Sequence, residues 1–308
     1  MPVDLLTLGE AFEDLVFLGL PRLPKSGEEI RTDHFVRTIG GGAVITAVAA
    51  ARLGLPCGTW SALGDLAVRR LKREGVAVSN LKAAGEDHAI SAALSTADNR
   101  SFVTYDGVNR KLERRLLERT PRIRCRHVHF AFGPRDCTPW LAVLERLHRR
   151  GVGTSWDFGW NERLLDDAAF PALLDRVQVL FVNEQEALLY SRRRSLTTAM
   201  SHWRRAANTV IVKVGPKGCH WISRDRELHD PAPRVRTVDT TGAGDAFNGG
   251  FLVARLRGLS PAASLRLGNH VGALSTRQAG GLDGLPQSTD LPRHLAAVRA
   301  RSAGKGTE

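Results

Sequence analysis

Val238-Asp239-Thr240-Thr241-Gly242-Ala243-Gly244-Asp245-Ala246-Phe247-Asn248-Gly249-Gly250-Phe251 is the stretch on which the reading of this chain turns. Gly242, Ala243 and Gly244 carry almost no side chain, so the backbone can turn tightly and approach a ligand closely. A helical segment, Ala243 to Arg257, starts at once. The free N–H groups and positive dipole end of a new helix then face whatever the turn holds, which makes a hole for an anion such as phosphate. Asp245 does not suit that hole if binding is its only task, because a carboxylate repels phosphate. It suits a base that takes the proton from an attacking hydroxyl. The competing reading is an acid that merely complements a helix N-terminus.

Upstream of this loop, strands and helices alternate. His127 to Phe132, Gly153 to Asp157, Val177 to Val182 and Thr209 to Val214 read as strands, with helices over Pro139 to Arg150 and Glu184 to Tyr190. Val3 to Gly9 opens the chain as a strand. Gly40-Gly41-Gly42 leads into an alanine-rich helix, Ala43 to Leu53, closed by Gly54 where a C-terminal glycine belongs. A strand from Gly58 to Leu63 and a helix near Ala67 to Glu74 follow, and Pro261 to Gln278 and Asp290 to Arg301 read as further helices. This alternation predicts an α/β fold with a mainly parallel sheet between helices, and such sheets bind ligands beyond the C-terminal ends of their strands. Segments near 12–18, 30–38 and 89–107 alternate instead and predict a small β-sheet lid, with Asp98-Asn99-Arg100 as a hairpin turn. The expectation is one domain over 1–308, with Ser302 to Glu308 frayed.

Composition removes other classes. Across 308 residues, 43% hydrophobic and 25% charged content excludes wholesale disorder. No apolar run reaches the ~18 residues of a membrane span. The acidic start, with Asp4, Glu10, Glu13 and Asp14, does not resemble a signal peptide. Four scattered cysteines form no C-x-x-C pair, which suits a reducing, cytoplasmic setting. Lys+Arg 44 against Asp+Glu 32 gives a net charge of +12. That field suits a phosphorylated ligand as well as nucleic acid, and the short arginine clusters lack interleaved aromatics, so nucleic acid is not the expected partner.

Three motifs in order resemble the ribokinase-like (PfkB-type) carbohydrate kinase family. Asp239 to Asp245 match its D-T-x-G-A-G-D signature; Gly40-Gly41 with Ala51-Arg52-Leu53-Gly54 match its N-terminal signature; Asn183-Glu184-Gln185-Glu186 match its N-x-x-E motif. The resemblance spans nearly the whole chain. It implies a Rossmann-type α/β sandwich with a β lid, transferring the γ-phosphate of ATP to a hydroxyl of a sugar or sugar derivative. Asp245 would be the general base, and the N–H groups of Gly242, Ala243 and Gly244 the anion hole. No G-x-x-x-x-G-K-[ST] occurs, so P-loop chemistry is not expected. Asn183 and Glu186 would position Mg²⁺, although Asn is also a good helix cap. Lys213, Gly215 and Gly218 resemble the nucleotide-side loop, and Asn269 falls where the family meets adenine; a strand-end turn and a helix-surface amide are the alternatives. Asp239 and Thr241 resemble part of a monovalent-cation (K⁺) site. Gly41, Gly42 and Asp14 fall on the acceptor side, Asp14 being alternatively a solvated turn acid.

Some positions depart from the family. Phe12 and Ile45 stand where its sugar kinases carry Asn, and Phe132 aligns with an acid of ribokinases. Three polar contacts would thus become apolar, which disfavours free ribose and suits a substrate with an aromatic portion, such as a nucleoside. Trp156, Phe158 and Trp160 would be either aromatic wall or core. The alternatives to a sugar kinase are a nucleoside kinase of the same family and a catalytically weak ligand-binding or scaffold relative. The lid offers a surface for a homodimer.

Overall fold

The computed structural model describes residues 3–96, 100–205 and 208–291. In chain order the elements are β1 (Val3–Gly9), β2 (Phe12–Leu20), β3 (His34–Gly40), α1 (Gly42–Arg52), β4 (Cys57–Ser61), α2 (Asp65–Arg73), β5 (Ala77–Asn80), β6 (Ile90–Thr96), β7 (Arg100–Tyr105), α3 (Leu112–Arg119) and β8 (Cys125–Ala131). There follow α4 (Thr138–Arg149), β9 (Gly153–Asp157), α5 (Phe170–Arg176), β10 (Val179–Asn183), α6 (Glu184–Ser191), α7 (Leu196–Trp203), β11 (Thr209–Lys213), β12 (Cys219–Ile222), β13 (Glu227–Asp230), α8 (Ala243–Leu256) and α9 (Pro261–Ser275).

Nine strands form one sheet in the order β13-β12-β11-β10-β9-β8-β1-β4-β5. All neighbours from β11 to β5 pair in parallel; β12 alone runs the opposite way, pairing antiparallel with β11 on one side and β13 on the other. Central strands such as β10 and β11 are apolar on both faces because helices cover both, and β8 buries His127 and His129 on one face, where both meet Ser155. On one face α1, α8 and α9 pack closely. Gly249 of α8 allows this: a Cβ there would lie 2.6 Å from the Ala49 Cβ of α1. Eight of the eleven α1 residues are buried, which explains its run of alanine and valine with no polar stripe.

The lid is a four-stranded sheet in the order β3-β2-β6-β7. It confirms the predicted small β-sheet, with one correction: the strand expected over 30–38 runs His34–Gly40, and Ile30 to Asp33 lie outside it. Register pairs Asp14 with Thr38 and Phe12 with Gly40. The lid exposes Phe35, Phe102, Val103 and Tyr105. The turn expected at 98–100 and the helix expected over 290–301 fall largely outside the described residues, as does the 302–308 tail. The strands β5, β12 and β13 were not legible beforehand; each is four residues long, too short for a period to show.

Candidate active site

The decisive loop sits at the C-terminal edge of the parallel strands, where α8 begins. Gly242 caps α8 in the left-handed region at φ +70°. A side chain there would also meet Ile45, whose Cδ1 would lie 2.5 Å from an added Cβ. Asp239 holds the loop: its Oδ1 accepts from the Thr241 N–H at 2.7 Å and its Oδ2 from the Gly280 N–H at 2.9 Å. The Ala243 N–H donates to the Thr240 carbonyl at 3.2 Å, whereas those of Gly242 and Gly244 have no backbone acceptor among the described residues. In this turn the N–H groups of Gly242 and Gly244 are thus the ones without a backbone acceptor, while that of Ala243 is committed to the turn.

Two clefts meet at this helix start. One, about 550 Å³, is lined by Lys213, Gly215, Gly218, Ala243, Gly244 and Asn269, with Val235 and Phe247 as apolar wall. All four residues read as nucleotide-side thus come together. The Asn269 amide is already engaged, however, donating at 2.8 Å to both the carbonyl and the carboxylate of Asp230. The other cleft, about 380 Å³, is lined by Asp245, Gly42, Asp157, Glu10, Asn161 and Phe132, with Phe158 and Trp160. Gly42 must be glycine for contact: an added Cβ would lie 2.9 Å from Asp245 Oδ1 and 3.0 Å from the Ala131 Cβ.

Beneath the loop lies a buried charge cluster. The Lys213 ammonium donates to Asp157 Oδ2 at 2.8 Å and to Asn248 Oδ1 at 3.3 Å, and Asn248 Nδ2 donates to the same Asp157 oxygen at 2.8 Å. Lys213 is thus an ion-pair partner beside Gly244, not only a wall of the nucleotide cleft. Burial opposes ionisation of Asp157, but Lys213 and Asn248 outweigh it and hold its carboxyl below the usual range. The same burial, with Asp157 as a like charge, pushes Asp245 up to about 7 despite Lys213. Glu186 is pushed up to about 7 for the same two reasons. Asp14 is also pushed up to about 7, by burial and then by the field of Asp239.

Asn183 and Glu186 form a reciprocal capping box on α6: Asn183 Oδ1 accepts from the Glu186 N–H at 2.8 Å, and Glu186 Oε2 accepts from the Asn183 N–H at 2.9 Å. The cap reading is therefore realised. It leaves Glu186 Oε1 without a hydrogen bond among the described residues, within the fields of Asp157 and Lys213.

The residues expected on the acceptor side do not all come together. Ile45 does not line the cleft that holds Asp245; it is 2% exposed and packs behind Gly242 and Gly281. Phe12 lines a narrow crevice with Ile39, Gly64 and His88 instead. Asp14 lies against Gly40, where a Cβ would come within 2.0 Å of its Oδ2, and does not line the cleft with Asp245. Gly41, at φ +102°, is the turn that lets Glu10 approach, since a Cβ would lie 2.3 Å from the Glu10 carbonyl oxygen. Of the three apolar replacements only Phe132 reaches the cleft. Trp156 is core, stacked on Phe130 and Phe158, while Trp160 is 55% exposed at the mouth. Glu10 and Asn161 were missed, although Glu10, directly after a strand ending in Gly9, stood where ligands gather.

No helix among the described residues is long and apolar enough to cross a membrane, and no group of three or more His, Cys, Asp or Glu is placed to hold a metal ion. The profile described as pfkB family carbohydrate kinase matches residues 4–288. The 2-dehydro-3-deoxygluconokinase of Bacillus subtilis is 27% identical over 328 aligned positions, 99% of each chain. An Arabidopsis thaliana ribokinase complexed with ribose and ATP shares the fold at a TM-score of 0.73 and 21% identity, over 100% of both chains. A Burkholderia thailandensis nucleoside kinase in complex with inosine does so at 0.76 and 23%, over 97% of both.

Proposed function

The chain belongs to the pfkB family of carbohydrate kinases, and from that membership we propose that it transfers the γ-phosphoryl group of ATP to a hydroxyl of a sugar or sugar derivative, with Asp245 as general base. The observation that carries this reading is the position of one helix start between two clefts. Ala243 and Gly244 line one cleft and Asp245 lines the other, so a donor phosphate and an acceptor hydroxyl can meet across the loop.

The chemistry follows from the groups present. The acceptor hydroxyl lies in the cleft with Asp245 and loses its proton to that carboxylate as its oxygen attacks the γ-phosphorus. The bond from the γ-phosphorus to the bridging oxygen breaks, and ADP leaves. The N–H groups of Gly242 and Gly244, at the positive end of α8, hold the charge on the transferring group. A base pushed up to about 7 is matched to neutral pH, where it is partly ionised yet a strong enough acceptor of the proton. The intact base and open N–H groups also speak against a catalytically weak scaffold.

The donor set fits Mg²⁺ of the kind that nucleotides carry: a single buried carboxylate, Glu186, with one oxygen free of hydrogen bonds, serves an ion that keeps several waters and is otherwise held by phosphates. When bound, Mg²⁺ would neutralise phosphate charge during transfer. Glu186 would hold it through that water shell, and Asn183 would fix Glu186. For K⁺, Asp239 and Thr241 remain the candidates, although the Asp239 carboxylate already orders the loop by hydrogen bonds.

A nucleoside is the alternative acceptor, favoured by Trp160 standing exposed at the mouth beside Phe132 and Phe158, where a base could stack. The test is ATP consumption across sugars, sugar acids and nucleosides, with Asp245→Asn as control. Acceptor-dependent ADP formation that Asp245→Asn lowers at least ~10²-fold in kcat is expected. No acceptor-dependent turnover, or near-normal turnover in the variant, would sink the proposal.

A further inference from the structure

The N-terminal edge of the parallel sheet, opposite the loop that starts α8, carries a second hollow. Cys125 and His127 of β8, Gly153 of β9 and Gln178 ahead of β10 open a cavity of about 630 Å³, closed on the helical side by the end of α8 and the start of α9. Another cavity, about 420 Å³, adjoins it over Gln178, Trp221 and Arg255 and runs past Asn208 to the turn between β12 and β13. Neither shares a lining residue with the two clefts at the start of α8. Gly153 and Asp157 close opposite ends of β9, ~13 Å apart at ~3.3 Å per residue, so the hollow and the cleft of Asp245 lie on opposite sides of the sheet edge to edge.

Positive charge is in excess here. Arg126, Arg176, Arg224, Arg226 and Arg255 line the two cavities against two acids, Asp175 and Asp225. Asp225 accepts from the Ser223 hydroxyl at 2.9 Å, and Arg126 meets Asp4 at 3.5 Å. Arg255 belongs to both cavities. Its guanidinium lies over the Trp221 ring, 5.8 Å from the centroid, and makes no hydrogen bond or ion pair among the described residues. Burial holds its pKa below the usual value, so the charge loses water with no counter-charge in exchange. The walls carry polar side chains in the same condition. Trp221 is 6% exposed, and its indole N–H has no acceptor among the described residues. His127 is 4% exposed; its Nε2 meets Ser155 Oγ at 2.9 Å, while its Nδ1 turns to Gly153, 2.6 Å from where a Cβ would be, without a hydrogen-bond partner among the described residues. Asn208 is 8% exposed; it donates to the Leu174 carbonyl at 2.7 Å, and its Oδ1 has no partner among the described residues.

Buried polar groups are almost always paired, so a row of unpaired ones along a positively charged cavity implies a ligand that pairs them. Arginine forks match phosphate oxygens, and an indole N–H adds a donor. The Asn208 oxygen takes a hydroxyl. Pro261 and Ser264 of α9 stand on the wall, so the positive end of that helix adds to the field. A hollow between strand starts and helix ends admits a small molecule and not the convex backbone of a duplex. We propose that this hollow is a second ligand site, separate from the clefts around Asp245, which binds a small phosphate ester bearing free hydroxyls, a sugar phosphate or a nucleoside monophosphate, with Arg255 on the phosphate. It goes beyond the kinase reading and does not depend on it.

The experiment is titration calorimetry on the full chain with inorganic phosphate, ribose 5-phosphate and AMP, each with and without saturating ADP and Mg²⁺. At least one of the two esters should bind once per chain with ADP present, more tightly than inorganic phosphate, and the tighter ester names the source. Arg255→Gln should weaken that binding at least ~tenfold and leave the affinity for ADP unchanged. Trp221→Phe keeps an aromatic ring under Arg255 and removes the N–H; it should weaken ester binding several-fold and decides the matter should Arg255→Gln not fold. Binding that disappears when ADP is added belongs to the nucleotide cleft and overturns the proposal. So does ester binding unmoved by the variants, or no tighter than that of inorganic phosphate. Duplex DNA bound through Arg255, with neither ester bound, assigns the surface to nucleic acid and overturns it equally, as does no binding by any probe.

Discussion

Asp157→Asn is the substitution that most directly tests how the buried cluster sets Asp245, the proposed base. The parent Asp157 carboxylate raises the Asp245 carboxyl, which sits at about 7, while Lys213 pulls it down. Asn keeps the shape and can still accept from the Lys213 ammonium, now 2.8 Å from Asp157 Oδ2, but carries no charge. A unit charge acting over ~6–8 Å at an effective dielectric of about 20 is worth ~2–3 kcal/mol, or roughly 1.5–2 pH units. Both consequences have one sign: the repelling charge goes, and Lys213 turns its field on Asp245. Because the base works only when ionised, parent kcat/KM should rise with pH and level off above about 7. In the variant the same rise should come at lower pH, by at least about one unit. The assay is kcat/KM against pH in buffers of constant ionic strength, with calorimetry to confirm folding. A limb that stays near 7 means Asp157 does not act on Asp245. A limb that moves upward means that Lys213 loses its charge when its partner goes, and the electrostatic account is wrong.

Two further outcomes follow from the same groups. Glu186→Gln should raise the Mg²⁺ concentration for half-maximal rate more than it changes the acceptor KM; an unchanged Mg²⁺ dependence would leave Asn183 and Glu186 as a helix cap alone. Asp14→Asn should be neutral below about pH 4, increasingly stabilising from there to about pH 7, and fully so above it. The folded Asp14 carboxyl lies at about 7, above its unfolded value, so its contribution is favourable at low pH and is lost as pH rises through 7. The melting temperature of the variant relative to the parent should therefore climb between about pH 4 and 7 and level off above it, and a flat difference would show that Asp14 is not desolvated.

The sequence by itself determined the parallel sheet, the lid and the loop that carries the chemistry. Long apolar strands at the centre must be buried on both faces, and a glycine turn ahead of a helix makes an anion hole wherever it occurs, so neither depends on distant partners. The position of Asp245 at that helix start was legible for that reason, whereas Gly42, Lys213, Gly215, Gly218 and Asn269 were singled out by the family resemblance. The tertiary structure alone decided which side chains share a cleft. Phe12, Ile45 and Asp14 are close to the site along the chain, yet the lid register and the close packing of α1 against the loop turn them elsewhere. The capping box of Asn183 and Glu186 lay in the motif, but the placement of Glu186 in the field of Asp157 came only from the neighbouring strand ends. Asn161 and the Asp157–Lys213 pair gave no local signal, because strands and loops far apart in sequence meet at one edge of the parallel sheet only in the fold. A charge's ionisation depends on burial and on neighbours in space, so the raised carboxyls of this site became readable only once the fold had gathered them.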